Sequence, residues 1–274
     1  MTPIINQTSK IPVLGFGTFR MPEPDTLRMV THVLKNGYDH IDTAQIYENE
    51  AAVGSAIQAS GRARSDIFLT TKVWVDNFHS SKFIPSVEES LKKLKTDYVD
   101  LLLLHWPNEA VPLADQIGLL NQVHKAGMAR HIGVSNYTLA LFDKAWQLSD
   151  APLVTNQIEY HPYLDQHRLL EQCRKVGQCI TAYYAMADGK VLEDAVLKDI
   201  AANHGKTVAQ VVLRWLVQQP AVVALSKTVS EERADMNRAI FDFSLDESEM
   251  KAIHGLANAD GRIISPPGLA PVWD

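Results

Sequence analysis

The chain has 274 residues, 46% of them hydrophobic and 21% charged, the balance of a soluble globular protein long enough to bury a large core. Its net charge of −6 argues against a nucleic-acid partner, whose phosphates require an excess of Lys and Arg. Two cysteines, Cys173 and Cys179, fit neither a redox pair nor a zinc site and read as buried thiols of a protein in a reducing cytoplasm. Neither a signal peptide nor an apolar run long enough to span a bilayer is expected, so no membrane partner is foreseen.

Short apolar runs alternate with amphipathic stretches without a linker, so one domain over residues 1–274 is expected, as a monomer. Ile4-Ile5 and Ile11-Pro12-Val13 flank a polar turn and predict an N-terminal β-hairpin plugging the bottom of the fold. Strands are predicted at 13–18, 40–44, 68–73, 98–105, 131–135, 153–159, 179–185 and 222–227, several of them continuous Val/Ile/Leu/Thr runs as in parallel strands covered on both sides. Between the first two, Leu27, Val30 and Leu34 make one helical face, ended by Gly37. Ile84, Val87, Leu91 and Leu94 make another after the third strand. Thr207-Val208-Ala209-Gln210 reads as a capping box ahead of the stripe Val208, Val211, Val212 and Trp215. Eight such alternations give an α/β fold, either a single (β/α)8 TIM barrel or a doubly wound sheet. The barrel is favoured. Gly15-Phe16-Gly17 lacks the third glycine of a dinucleotide fingerprint, and the chemically notable residues gather after strands two, three and four, at the C-terminal rim where barrels place their sites.

Those residues are Asp42, Tyr47, Lys72 and His105. Alone, Lys72 reads as a solvated strand end and His105 as packed surface. Together they hold what is needed to give a proton to a carbonyl oxygen. A phenol is a weak acid, with an unperturbed pKa of about 10. An adjacent ammonium stabilises the phenolate, a carboxylate keeps that ammonium charged and placed, and a histidine orients the substrate oxygen.

Gly37-Tyr38-Asp39-His40-Ile41-Asp42-Thr43-Ala44 with Tyr47, Glu50 and Gly54, then Thr71-Lys72-Val73-Trp74, Leu104-His105-Trp106-Pro107, and Lys227-Thr228 with Arg233 and Asn237, resemble in order and spacing the signatures of the aldo-keto reductase superfamily. The ending from Gly268 to Asp274 resembles the bacterial 2,5-diketo-D-gluconate reductase branch, some of which reduces methylglyoxal and other small aldehydes. The resemblance implies a carbonyl reductase with Tyr47 as general acid, its pKa lowered by Lys72, Asp42 paired with Lys72, and His105 orienting the carbonyl. It implies NADPH as hydride source. Ser135, Asn136 and Gln157 would hold the nicotinamide carboxamide and Tyr183 would stack on the ring, with Gly17, Thr18, Asp42 and Asn237 also at the cofactor. Lys227, Thr228 and Arg233 would meet the 2′-phosphate, a placement that fits two cations and a hydroxyl at a helix start. Glu231 and Glu232 stand beside them and would partly offset those charges.

Phe19, Trp74, Trp106 and Trp273, with Tyr47 and His105, are expected to form an aromatic cup for a small carbonyl substrate. Four positions depart from the family pattern. Asp39 replaces Arg, Ser226 replaces Pro, Met236 replaces an acidic residue, and Tyr184–Gly189 replaces a Ser-Pro-Leu-Gly run. A metal-dependent hydrolase would need clustered His and carboxylate ligands, and with no His-x-His pair no metal is expected. A barrel that only senses NADPH is the remaining rival.

Overall fold

The computed structural model describes residues 2–5 and 9–274. Eight parallel strands close into a barrel in sequence order: β1 (Leu14–Gly17), β2 (His40–Asp42), β3 (Phe68–Val73), β4 (Val99–Leu104), β5 (Ala129–Ser135), β6 (Leu153–Glu159), β7 (Cys179–Tyr183) and β8 (Val222–Ser226), with β8 pairing back onto β1. The barrel reading therefore holds over the doubly wound sheet. Nearly every strand residue is buried, which is why these strands read as unbroken apolar runs and not as alternating ones.

Several strands stop a residue or more before their predicted ends, and the reason is functional geometry. Thr18, Thr43 and His105 lie one residue past β1, β2 and β4, and each still donates its N–H to the neighbouring strand, at 3.0, 2.9 and 3.1 Å. Their chain then turns off into the rim loops that carry the site.

The outer ring includes α1 (Glu23–Lys35), α2 (Glu50–Ser60), α3 (Ser80–Leu94), α4 (Leu113–Lys125), α5 (Leu139–Leu148), α6 (His167–Lys175), α7 (Ala195–His204), α8 (Val208–Gln218) and α9 (Glu231–Arg238). Helix α1 turns Met29, Val30, Val33 and Leu34 inward and ends before Gly37, whose φ of +90° is a left-handed value that favours glycine. The predicted capping box at α8 forms, with Thr207 and Gln210 satisfying each other's backbone N–H groups. At the bottom, Ile4 bridges Pro12 in antiparallel fashion, and Ile11 is buried among Phe68, Leu101, Leu103, Val154, Cys179 and Val223. Ile4 is itself exposed, but Ile5 packs against the same cluster, so both arms of the predicted hairpin reach the barrel bottom; its turn, residues 6–8, lies outside the described residues. Cys173 and Cys179 are free and buried. Among the described residues no helix is long and apolar enough to cross a membrane, and no three His, Cys, Asp or Glu side chains gather as a metal-ligand set.

Candidate active site

A cleft of about 660 Å³ opens at the C-terminal rim. Its centre is a buried chain of polar contacts that the strand geometry dictates. Asp42 ends β2 and is in register with Thr70; Lys72 is two residues further along β3 and so shares its face. Lys72 has no exposed surface, and its Nζ donates to Asp42 Oδ1 at 2.6 Å, to the Thr43 carbonyl at 2.8 Å and to the Tyr47 hydroxyl at 3.3 Å. Three ammonium protons meet three acceptors. Asp42 Oδ2 accepts from Gln157 Nε2 at 2.8 Å, so both carboxylate oxygens are engaged.

Tyr47 comes from a short 3₁₀ turn, Gln45–Tyr47, that follows β2. Gln45 fixes that turn: its Oε1 accepts from the Trp74 backbone N–H and from Asn77, both at 2.9 Å, while its Nε2 reaches Ser86 and Ser90. The Tyr47 ring lies 5.6 Å from that of His105 and 5.0 Å from that of Phe19, and Trp74 stands 5.3 Å from His105. The four expected catalytic residues are brought together.

Their ionisation differs from the sequence expectation in one respect. Lys72 was expected to bring the Tyr47 phenol down; its pKa is instead raised well above the usual 10, by desolvation first and by the Asp42 charge second. Burial of the phenol, more than either neighbouring charge, sets this resting state. Tyr47 therefore rests protonated, as a proton donor must. Burial also lowers the pKa of Lys72, with Asp42 opposing. His105 is pushed well below 6.5 by burial and then by the Lys72 charge, so its imidazole is neutral; its Nδ1 is buried without a partner.

Beside this centre Ser135, Asn136, Gln157 and Tyr183 form one linked group. Ser135 Oγ donates to the Gln157 carbonyl at 2.8 Å, Asn136 Nδ2 donates to the His105 carbonyl at 3.0 Å, and the Tyr183 hydroxyl donates to Asn136 Oδ1 at 2.6 Å. Asn136 adopts a left-handed φ of 64°, which turns the chain at the end of β5. No described hydrogen bond engages Gln157 Oε1, leaving an acceptor for an amide such as a carboxamide. Gly17 opens the floor beside them: a Cβ there would meet only the Ser226 carbonyl, at 3.8 Å.

Among the other expected residues, Phe19, Trp74, Trp106, Lys227 and Asn237 border the cleft. Thr18 is fully buried behind it, bonded to the Asp42 carbonyl and to Asn49. Thr228 and Arg233 lie outside its lining. Lys227 and Arg233 are exposed, and neither takes part in a described ion pair. Trp273 does not line the cleft either; it packs against Trp106 at 6.3 Å, with the Arg262 guanidinium 3.7 Å over its ring. Three of the four departures are absorbed locally, while Met236 stays exposed on α9. Asp39 pairs with Arg62 at 2.8 Å, Ser226 joins Tyr38 at 3.0 Å, and the Tyr184 hydroxyl bonds Asp188 in a loop with left-handed residues at 184, 187 and 188.

Sequence reasoning missed four participants. Gln45 lies between Ala44 and Tyr47 of the first motif, but nothing marks an amide as a clamp until its partners are placed. Arg20 borders the cleft with its guanidinium 5.0 Å over the Phe19 ring. Ile263 and Ile264 form a wall because Glu159, fully buried at the end of β6, accepts from both their backbone N–H groups at 2.8 and 2.9 Å.

A sequence profile described as the aldo/keto reductase family matches residues 13–258. The chain belongs to the aldo/keto reductase family. It is 44% identical to methylglyoxal reductase DkgB of Salmonella typhimurium over 267 residues, 96% of this chain and 99% of that one. It is 37% identical to the glyoxal reductase of Bacillus subtilis, over 93% of this chain and 91% of the relative. One crystal structure, provisionally assigned as a 2,5-diketo-D-gluconic acid reductase B, superposes with a TM-score of 0.98 at 57% identity, covering 100% of this chain and 98% of its own. An aldo-keto reductase from Bombyx mori in complex with NADP superposes at 0.87 with 29% identity, covering 94% of this chain and 93% of its own. The protein is accordingly an oxidoreductase of the reductase type on a (β/α)8 barrel.

Proposed function

We propose that this enzyme is an NADPH-dependent carbonyl reductase that converts small aldehydes and ketones, such as methylglyoxal, glyoxal or 2,5-diketo-D-gluconate, to alcohols. The observation that carries the reading is the contact chain Asp42–Lys72–Tyr47 beside a neutral His105, all at one end of an open cleft. The relatives named for methylglyoxal, glyoxal and 2,5-diketo-D-gluconic acid support the substrate class, and the NADP complex of the Bombyx mori enzyme supports the cofactor.

When bound, a reduced nicotinamide would supply the hydride that the carbonyl carbon needs, since no side chain can. Tyr47 gives its hydroxyl proton to the oxygen as negative charge grows there. Lys72, 3.3 Å from that hydroxyl, opposes the charge left on the phenolate, and Asp42 keeps Lys72 placed. His105, neutral, can donate a hydrogen bond to the same oxygen and so fix the carbonyl over Tyr47. The phenolate then regains a proton from water in the open cleft. Phe19, Trp74 and Trp106 shape an apolar mouth for a small substrate, with Trp273 backing Trp106 from the tail.

The chain's residues fit the cofactor at both ends. Gln157 Oε1 and the Ser135–Asn136 turn offer amide partners, Tyr183 offers an aromatic face, and the floor at Gly17 leaves room. At the far end Lys227, Thr228, Arg233 and the start of α9, capped by Ser230, suit a phosphomonoester; Asn237 borders the same end of the cleft. We read the protein as a cytoplasmic, monomeric single domain acting on small molecules. Following NADPH oxidation by absorbance with methylglyoxal, glyoxal and 2,5-diketo-D-gluconate tests the function. Turnover with at least one is expected; NADPH binding with no turnover on any would favour a sensor and sink the reductase reading.

A further inference from the structure

The first turn of α9 carries Glu231 and Glu232, where a phosphate dianion at Lys227 and Arg233 would be repelled. The structure shows where one of those charges goes. Helix α1 presents Arg28 and His32 to α9 across 203 positions of sequence. Arg28 Nη1 meets Glu231 Oε1 at 3.1 Å, while its Nη2 donates to the Val229 carbonyl at 2.9 Å and to Asp25 at 2.9 Å. His32 lies 3.4 Å from Glu231 Oε2 and 2.9 Å from Asp235. Both oxygens of Glu231 thus face α1. The guanidinium also grips the loop that runs from Lys227 to the Ser230 cap by its exposed middle residue, Val229.

We propose that Arg28 is a specificity-determining positioning residue for the 2′-phosphate: it withdraws the Glu231 charge toward α1 and holds the 227–230 loop, without touching the phosphate itself. This rests on the phosphate site proposed above. Arg28 already spends N–H groups on Asp25, Glu231 and Val229, so it has little left to offer a ligand. Its effect on a bound phosphate is therefore carried by Glu231 and by the loop. Freed from Arg28, Glu231 becomes an uncompensated negative charge near a dianion in solvent, a repulsion that weakens with salt. NADH presents only a hydroxyl there and does not feel it.

The test titrates NADPH and NADH by quenching of tryptophan fluorescence, in low and high salt, with wild type, Arg28→Ala, Glu231→Gln and the double variant. Arg28→Ala is expected to weaken NADPH about three- to tenfold in low salt and to leave NADH within about twofold, the size of one exposed charge acting on a dianion. Glu231→Gln alone should bind NADPH at least as well as wild type. Adding it to Arg28→Ala should restore most of the loss, and high salt should shrink the gap. Equal losses for both cofactors, with no relief from Glu231→Gln, would mean Arg28 only supports the fold. A wild type that prefers NADPH while Arg28→Ala keeps that full preference overturns this inference and leaves the phosphate site standing. A wild type with no preference for NADPH removes both.

Discussion

At one end of the cleft Lys72 has no exposed surface and each of its protons meets an acceptor; at and beyond the other, Lys227 and Arg233 are exposed, and among the described residues no carboxylate pairs with either. Under the proposed function the two ends do different work. A charge that must act on a transition state is stronger in a dry, fixed setting, where it needs no reorganisation as the reaction proceeds. A charge that must catch and release a mobile phosphate is better left exposed, at the cost of being screened by salt. One end is organised from within the barrel, the other from the surface by α1.

Lys72→Met should break the buried end most severely. The linear side chain is kept but the ammonium is lost, so among the described residues Asp42 is left buried with Gln157 alone as side-chain partner. Removing one partner of a buried pair costs roughly 3–5 kcal/mol of stability, and loss of the charge beside the proton donor should lower carbonyl reduction roughly a hundred- to ten-thousandfold. Thermal unfolding and steady-state rates would show both. A variant with wild-type stability would mean that the pair is not the strut it is taken to be.

Arg233→Ala should touch only the exposed end. Loss of a charge-assisted hydrogen bond typically costs about 1.5–3 kcal/mol, so NADPH should bind roughly ten- to a hundredfold more weakly, NADH should barely change, and turnover at saturating NADPH should persist. Fluorescence titration of both cofactors checks it, and equal losses for the two would remove Arg233 from phosphate recognition.

A global effect, spread over several pH units, comes from histidines buried neutral. His40, inside the barrel, is lowered by burial to about 4, and His105 is also lowered. An unfolded histidine takes up its proton near 6.5, so the unfolded state binds more protons below that value and the folded state loses ground as pH falls. Stability should be level above pH about 6.5 and decline toward pH 4, by on the order of 3 kcal/mol for His40 alone. Denaturant unfolding at several pH values measures it, and replacing His40 with Gln should flatten the decline.

How much of this was legible in the sequence follows from the physics of each part. The barrel strands stood out because burial on both faces leaves no polar interruption, and the proton-donating group stood out because each member sits at or just past the C-terminal end of a strand, where barrels build their sites. The direction of the Tyr47 shift was not legible: it turns on whether desolvation outweighs the neighbouring charges, which needs coordinates. Nor was the Arg28–Glu231 contact, since two exposed charges on separate helices carry no pattern that announces their pairing. The wall at Ile263 and Ile264 escaped because that tail has no periodicity; a buried Glu159 beside His161 shapes it by accepting backbone N–H groups.

The central claim is that Tyr47 supplies the proton from a site whose cofactor grip lies elsewhere, and Tyr47→Phe tests it most directly when two quantities are read on the same sample. One is NADPH affinity by fluorescence quenching; the other is NADPH oxidation with methylglyoxal, or with whichever carbonyl the wild type reduces fastest. The variant loses one hydroxyl and keeps the ring against Phe19 and His105, so affinity should stay within about threefold while turnover falls roughly a hundredfold or more. Wild-type turnover in that variant would contradict the assignment of Tyr47 as the acid.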